Sequence, residues 1–290
     1  MPFFTTLRRR ALVLGTLPAL LLTGLSASAA EADGAVYGSG THSFSLATGS
    51  PGELGLLQRL AEAFALRADA RMVWVKAGTG VSLDLLRDKK VDMAMVHAPA
   101  QVEKALKEGW ATGKTLIGSN EFYIVGPKAD PAAVAQSGSA VDAYRRIAAA
   151  QARCVSRGDN SGTHQKEMQV WQKAGVQPGG SWYIVTRDFM TASLKRADAE
   201  GAYFMTDSST WIMEKGVAPS LDILYRGDKF LVNTYHAIVA PPGSTPGRDT
   251  AEKFIAFVAS GEGQKIIADY GRDKFGEGLY NDAAYARQYD

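Results

Sequence analysis

Short apolar segments alternate with amphipathic ones along almost the whole chain, and four apolar segments run out into polar turns that open a helix. SFSLAT (43–48) is followed by GSPGE, RMVWVKA (71–77) by GTGVS, RCVS (153–156) by RGDNSGT, and SWYIVT (181–186) by RDFMTAS. Strand and helix patterns in alternation specify an α/β fold with a parallel or mixed sheet flanked by helices. Further strands are expected at VDMAMVHA (91–98), EFYIVG (121–126), AYFMT (202–206) and TYHAIVAP (234–241). Helical spacing marks residues 52–68, 81–90, 142–151, 163–175, 191–201 and 250–271. In open α/β sheets ligands sit beyond the carboxyl ends of the strands, so four Ser/Thr-bearing exits facing one crevice make a binding site. A single such turn would be an ordinary helix cap.

The third exit, SRGDNSGTHQKEMQVW (156–171), carries the most chemistry. Asp159, Asn160 and Ser161 are N-cap residue types, and Met168 and Trp171 follow at helical spacing. A helix N-terminus with free N–H groups seats a small anion, and Arg157 adds a full positive charge.

Three arginines (Arg8 to Arg10), an apolar run from Ala11 to Leu25 and the small residues Ala27-Ser28-Ala29 form an export signal, so residues 1–30 are expected to be a cleaved signal peptide. The adjacent arginines suit either general or twin-arginine export. Residues 31–40, small and polar, are expected to form a flexible leader. Without residues 1–30 the chain has 29 basic and 30 acidic residues, a balance that provides no electrostatic case for nucleic acid or an anionic membrane. Cys154 is the only cysteine, which excludes a disulfide framework, a thiolate metal site and lipid attachment at the cleavage point. On a strand between Arg153 and Val155 it is expected to be a buried, inert thiol.

VKAGTGVSLDLL, VDMAMVHAPA, NEFYIVGPKADP, SRGDNSGTHQKEMQVWQKAG and GEGQKIIADYGRDKFG occur in that order. Together they resemble the tungstate-binding proteins of bacterial ABC importers, from about Ser45 to the C-terminus. The resemblance implies a type II periplasmic-binding-protein fold: two α/β lobes joined by two crossing strands, closing on a ligand by hinge motion. Residues 41–125 and 238–290 are then lobe 1, and 126–237 lobe 2. It also implies a periplasmic, monomeric receptor with a small anionic ligand, an ABC permease and its ATPase as partners, and no cofactor.

Carried over residue by residue, the family's pocket implies Thr48, Ser50, Thr79, Arg157, Ser161, Thr163, Thr191 and Ser193 as ligand-binding residues, with Gly49, Gly80, Glu53 and Asp207 beside them. The first exit departs from the family pattern, because Ala47, Gly49 and Pro51 stand where threonines are expected. Thr206 to Thr210 likewise lacks the family's arginine and glycine at 208 and 209. The first reading is an oxyanion receptor for tungstate or molybdate. A second keeps the receptor and exchanges the ligand for a small organic carboxylate or amino acid, with Glu53 or Asp207 accepting an ammonium and Trp182, Tyr183 or Phe189 lining an apolar wall. A third, an exported enzyme, lacks support. His42, His97, His164 and His236 are isolated in sequence, and no H-E-x-x-H or G-x-S-x-G motif is present. Catalytic and metal-binding residues are therefore not expected, and His164 with Glu167 reads as a solvent-side pair.

Overall fold

A computed structural model of the chain describes residues 34–290; the expected signal peptide and the first residues of the expected leader lie outside the described residues. The chain opens with β1 (Gly34–Tyr37) and β2 (His42–Thr48), then passes through α1 (Ser50–Glu53) and α2 (Leu56–Ala68) into β3 (Ala70–Lys76). α3 (Thr79–Arg87), β4 (Met93–Val96) and α4 (Pro99–Lys107) lead to the long β5 (Thr112–Pro127). Next come α5 (Ala140–Ala149), β6 (Cys154–Ser156), α6 (Gly162–Ala174), β7 (Tyr183–Val185) and α7 (Met190–Glu200). They are followed by β8 (Tyr203–Asp207), α8 (Ser208–Glu214) and β9 (Leu221–Tyr225). β10 (Val232–Val239), α9 (Arg248–Val258), α10 (Gly261–Asp269), α11 (Arg272–Phe275), β11 (Asn281–Asp282) and α12 (Ala283–Ala286) complete the chain.

The strands hydrogen-bond in the order β1-β3-β2-β4-β10-β5-β8-β6-β7, with β9 and β11 also on β5. Two parallel blocks result. In the first, β2 runs parallel to β3 and β4; in the second, β6 runs parallel to β7 and β8. β5 and β10 join them as antiparallel strands, and β5 changes partners along its length: Glu121 pairs with Val232 of β10, and Phe122 with Asp207 of β8. The sixteen-residue β5 therefore belongs to both blocks.

Parallel strands are covered on both faces, which is why their sequences read as nearly continuous apolar runs. On the first block, Phe44, Leu46, Leu57 and Phe254 fill one face and Ala47, Leu83, Val96 and Ile238 the other. On the second, Tyr144, Val170 and Trp171 fill one face and Val155, Leu194 and Phe204 the other. Cys154 is buried in the second block, and burial pushes its thiol pKa well up, as expected for an inert position.

Several expectations are corrected. The leader expected to be flexible contains a strand, β1, which pairs antiparallel with β3 and forms the edge of the sheet. The single helix expected over 52–68 is two, because Gly55 takes a left-handed φ of 85° that an α-helix does not accommodate. The run 250–271 is also broken, at Ser260, whose hydroxyl accepts from the Gly263 N–H and caps a new helix. β5 starts nine residues before the expected Glu121, and α4, α8 and β9 stand outside the expected elements, although Val102, Ala105 and Leu106 of α4 recur at helical spacing. Among the described residues no helix is long and apolar enough to cross a membrane.

Candidate functional site

Parallel pairing places strand exits side by side. Thr48 and Lys76 are register partners at the ends of β2 and β3, and Ser156 and Val185 are partners at the ends of β6 and β7. The two blocks meet at these ends. A Cβ at Gly78 would lie 3.4 Å from Ser161 Cβ, and one at Gly80 would lie 2.5 Å from Asn160 Nδ2. The N-terminus of α3 thus faces the N-terminus of α6, with that of α7 beside them through the β7 exit. Neither α3 nor α7 has a side-chain cap, although Thr79, Gly80 and Met190 are buried. First-turn amides have no acceptor inside a helix, so these N–H groups point into the crevice with no protein partner among the described residues.

Arg157 sits at the centre, 4% exposed. Its Nε donates to the Asp188 carbonyl at 3.1 Å and its Nη2 to Asp159 Oδ2 at 2.6 Å. A guanidinium has five N–H groups, so three remain for a ligand while the group is held in a fixed plane. Asp159 also accepts from the Ser161 N–H, tying the cation to the α6 cap. The loop between them depends on two left-handed residues. Gly158 has φ 59° and no room for a Cβ beside Val185, and Asn160 has φ 57°, which asparagine tolerates.

The expected site residues divide by what their hydrogen-bonding groups already do. Thr79 and Thr163 are buried, and their hydroxyls have no hydrogen-bond partner among the described residues; those of the half-buried Ser50 and Thr191 have none either. Ser161 accepts from the His164 N–H at 3.3 Å and keeps its own O–H as a donor. The Thr48 hydroxyl donates to the Met95 carbonyl at 2.8 Å, and the Ser193 hydroxyl lies 2.8 Å from Thr186 Oγ1 and donates to the Asp188 carbonyl. These two brace the turns around them. Gly49 and Gly80 contribute backbone only.

The sequence profile of the PBP superfamily domain matches residues 29–262. The chain is 31% identical, over 80% of its length and 82% of the relative's, to the tungstate-binding protein of Peptoclostridium acidaminophilum. The chain belongs to the PBP superfamily. Two solved structures agree with the placement. The structure described as the tungstate ABC transporter from Geobacter sulfurreducens superposes with a TM-score of 0.72 at 34% identity, covering 80% of this chain and all of that one. The tungstate-binding protein of Desulfovibrio alaskensis superposes with a TM-score of 0.68 at 35% identity, covering 83% and 98%.

In this PBP-superfamily chain the acidic residues near Arg157 are each engaged. Glu53, 16% exposed in its side chain, lies 2.9 Å from Lys76 Nζ. Asp207 caps α8 through the Thr210 N–H and hydroxyl and accepts from Asn120 Nδ2; burial raises its pKa. Trp182 and Tyr183 meet Trp171 edge-on in the second core, whereas the Phe189 ring contacts both the Lys76 ammonium and the Arg157 guanidinium. Of the three aromatics considered as a wall, Phe189 is the one that contacts the cations.

Sequence reasoning passed over a polar framework beneath the site. Glu167 is not a solvent-side partner of His164: it is 2% exposed and accepts from Ser156 Oγ, Trp171 Nε1 and Tyr183 OH at 2.7 to 3.0 Å. Its i+4 spacing to Trp171 is the one signal that could have found it. His164 instead accepts from the Asn160 N–H. At the junction of the blocks, His97 Nδ1 lies 2.9 Å from Asn233 Oδ1, Asn233 Nδ2 donates to Asn120 Oδ1, and Asn120 Nδ2 donates to Asp207 and Ser209. That chain assigns the proton to His97 Nδ1. No grouping of His, Cys, Asp and Glu among the described residues could hold a metal ion.

Proposed function

We propose that the protein is the extracytoplasmic receptor of an ABC importer and captures a small oxyanion of the tungstate or molybdate class. The two sheet blocks act as lobes, with β5 and β10 as the crossing strands and hinge. The observation that carries this reading is the convergence of the uncapped N-termini of α3 and α7 and the N-terminus of α6 on the three free N–H groups of buried Arg157. A tetrahedral dianion needs many short-range N–H and O–H donors with one or two positive charges, and little acid left unneutralised. Thr79, Thr163, Ser161, Ser50 and Thr191 add hydroxyls to the amides, while Thr48 and Ser193 shape the turns.

The work done is conformational. Donors come from both blocks, so an anion binds the closed form more tightly than an open one and shifts the population toward it. Closure presents the surface that a permease reads, and transport energy comes from the permease's ATPase. This function has no catalytic step. The relatives' names support it, and the export signal expected at the N-terminus supports a periplasmic location.

The test is thermal unfolding of ligand-free protein against tungstate, molybdate, sulfate, phosphate and a panel of small carboxylates and amino acids. Saturation at a hundredfold excess over Kd adds about 2.7 kcal/mol, a shift of roughly 5 to 10 °C. The expected result is a shift with tungstate or molybdate that Arg157→Ala abolishes. A shift with organic acids alone would overturn the oxyanion assignment and leave the receptor reading in place.

A further inference from the structure

Lys76 is the last residue of β3, on the strand face that carries Ala70, Met72 and Trp74 into the first core. Strand alternation therefore aims a lysine along a buried face, at the carboxyl end of a parallel strand, where this fold class places its ligands. Its side chain is 23% exposed and has two contacts that hold it there. Nζ lies 2.9 Å from Glu53 Oε1 and 4.4 Å from the centre of the Phe189 ring. The Arg157 guanidinium lies 5.5 Å from the same ring centre, so two cations that come from opposite blocks share one aromatic ring.

Glu53 is placed with equal care. α1 lies flat on Trp74, where a Cβ on Gly52 would come within 2.2 Å of the indole, and Trp74 Nε1 donates to the Thr48 carbonyl. Pro51, in the first turn of the helix, lacks an N–H. Along this exit Ala47 and Gly49 carry no hydroxyl, and the Thr48 hydroxyl is committed to Met95. The first block therefore has few neutral donors at the end of β2 but holds one lysine over the crevice.

We propose that Lys76 is a second anion-contacting cation, presented from the first block against Arg157 of the second, and that Glu53 is its counter-ion in the unliganded site. An ammonium has three donors. Glu53 takes one, Phe189 restrains the group, and the other two face no acceptor among the described residues and are available to the anion. This makes Lys76 a determinant of charge selectivity: two opposed cations favour a dianion such as tungstate over a monoanion, with Glu53 limiting the gain. The proposal rests on the receptor reading above.

Titration calorimetry of the full mature chain with tungstate tests it, using Lys76→Met, Lys76→Arg, Glu53→Gln and Arg157→Ala. Lys76→Met is expected to weaken tungstate binding about 30-fold or more and to lower the dependence of log Kd on log salt concentration. Lys76→Arg should retain most of the affinity, which separates lost charge from lost folding. Glu53→Gln removes a negative charge and is expected to tighten tungstate binding several-fold. A purely structural ion pair would make Lys76→Met and Glu53→Gln change affinity in the same direction, and that result overturns the proposal. Loss in Arg157→Ala with no change in Lys76→Met would overturn this assignment and leave the receptor standing. If the unmodified chain binds no oxyanion, the oxyanion reading fails, and the same variants are scored on whichever carboxylate shifts the unfolding temperature. Binding of neither class overturns both.

Discussion

The Cα of Gly162 packs against the His97 imidazole so closely that a Cβ there would lie 2.3 Å from His97 Cε1. Gly162 opens α6 in the second block, and His97 follows β4 in the first, so this is a contact between the halves. The imidazole cannot easily move aside. It stacks on Tyr235 at 5.0 Å between ring centres and is hydrogen-bonded to Asn233.

Gly162→Ala is therefore expected to oppose closure. Overpacking costs typically 1–3 kcal/mol, which corresponds to about tenfold or more in Kd if it falls on the closed form. The thermal stability of the ligand-free protein should change much less. Gly80→Ala is the control. Its Cβ would meet Asn160 Nδ2, the end of an exposed side chain that can turn away, and the Asn160 backbone oxygen at 3.0 Å, which has to give by only a few tenths of an ångström, so a smaller loss is expected. Equal effects of the two substitutions in titration calorimetry would refute closure against His97.

Two buried groups set opposing pH dependences. Burial pushes the Glu167 carboxyl up from 4.5 to about 7, so the folded state retains a proton that the unfolded chain has released; this stabilisation is present below pH 4.5 and is lost as pH rises toward 7. Burial pushes His97 down from 6.5 to about 4, so the unfolded chain takes up a proton that the folded state refuses; this stabilisation is present above pH 6.5 and is lost as pH falls toward 4. Each contributes a slope of up to about 1.4 kcal/mol per pH unit, with opposite sign, and the two largely cancel between pH 4.5 and 6.5. Glu167→Gln preserves the geometry: its carbonyl accepts from Trp171 and Tyr183, and its amide donates to Ser156. In denaturant titrations this variant is expected to gain stability with rising pH across the window, where the unmodified protein stays flat. A flat profile in the variant would show that the His97 contribution is absent.

Asn120 and Asn233 are register partners on the two strands that join the blocks, and their side chains bond at 2.7 Å. Asn120→Leu would take one bond each from Asn233, Asp207 and Ser209 in a buried network: Asn233 keeps His97, Asp207 keeps Thr210 and Ser209 keeps the Leu279 carbonyl, but the Asn233 Nδ2 donor is orphaned. Orphaned buried polar groups cost about 1–3 kcal/mol each when nothing replaces the lost bond. The expected result is a loss of about 1–3 kcal/mol in chemical unfolding, without a direct effect on Arg157. A loss below about 1 kcal/mol would mean that water reaches the junction.

The sequence by itself determined the α/β class, the four strand exits and the positive charge among them. Those features are local: strand and helix periods, N-cap chemistry at Ser161, and the glycines at 78 and 158 each act within a few residues of chain. The family resemblance read from ordered motifs matches the PBP-superfamily placement and the superposed structures. What only the tertiary structure decided is which groups remain free. Thr48 and Ser193 are alike with Thr79 and Thr163 in sequence, yet the first two bond to neighbouring backbone and the second two do not. Glu167 looked solvated because a carboxylate three residues after a histidine on a helix usually is, but the roll of α6 against β7 turned it onto Tyr183 and Trp171. Lys76 acquired its position from strand register and its partners from elements more than a hundred residues apart, Glu53 and Phe189. Local sequence sets propensity within a turn or two of chain, whereas the commitment of a hydroxyl or a charge depends on which distant backbone arrives beside it, and that is settled only when the sheet closes its register.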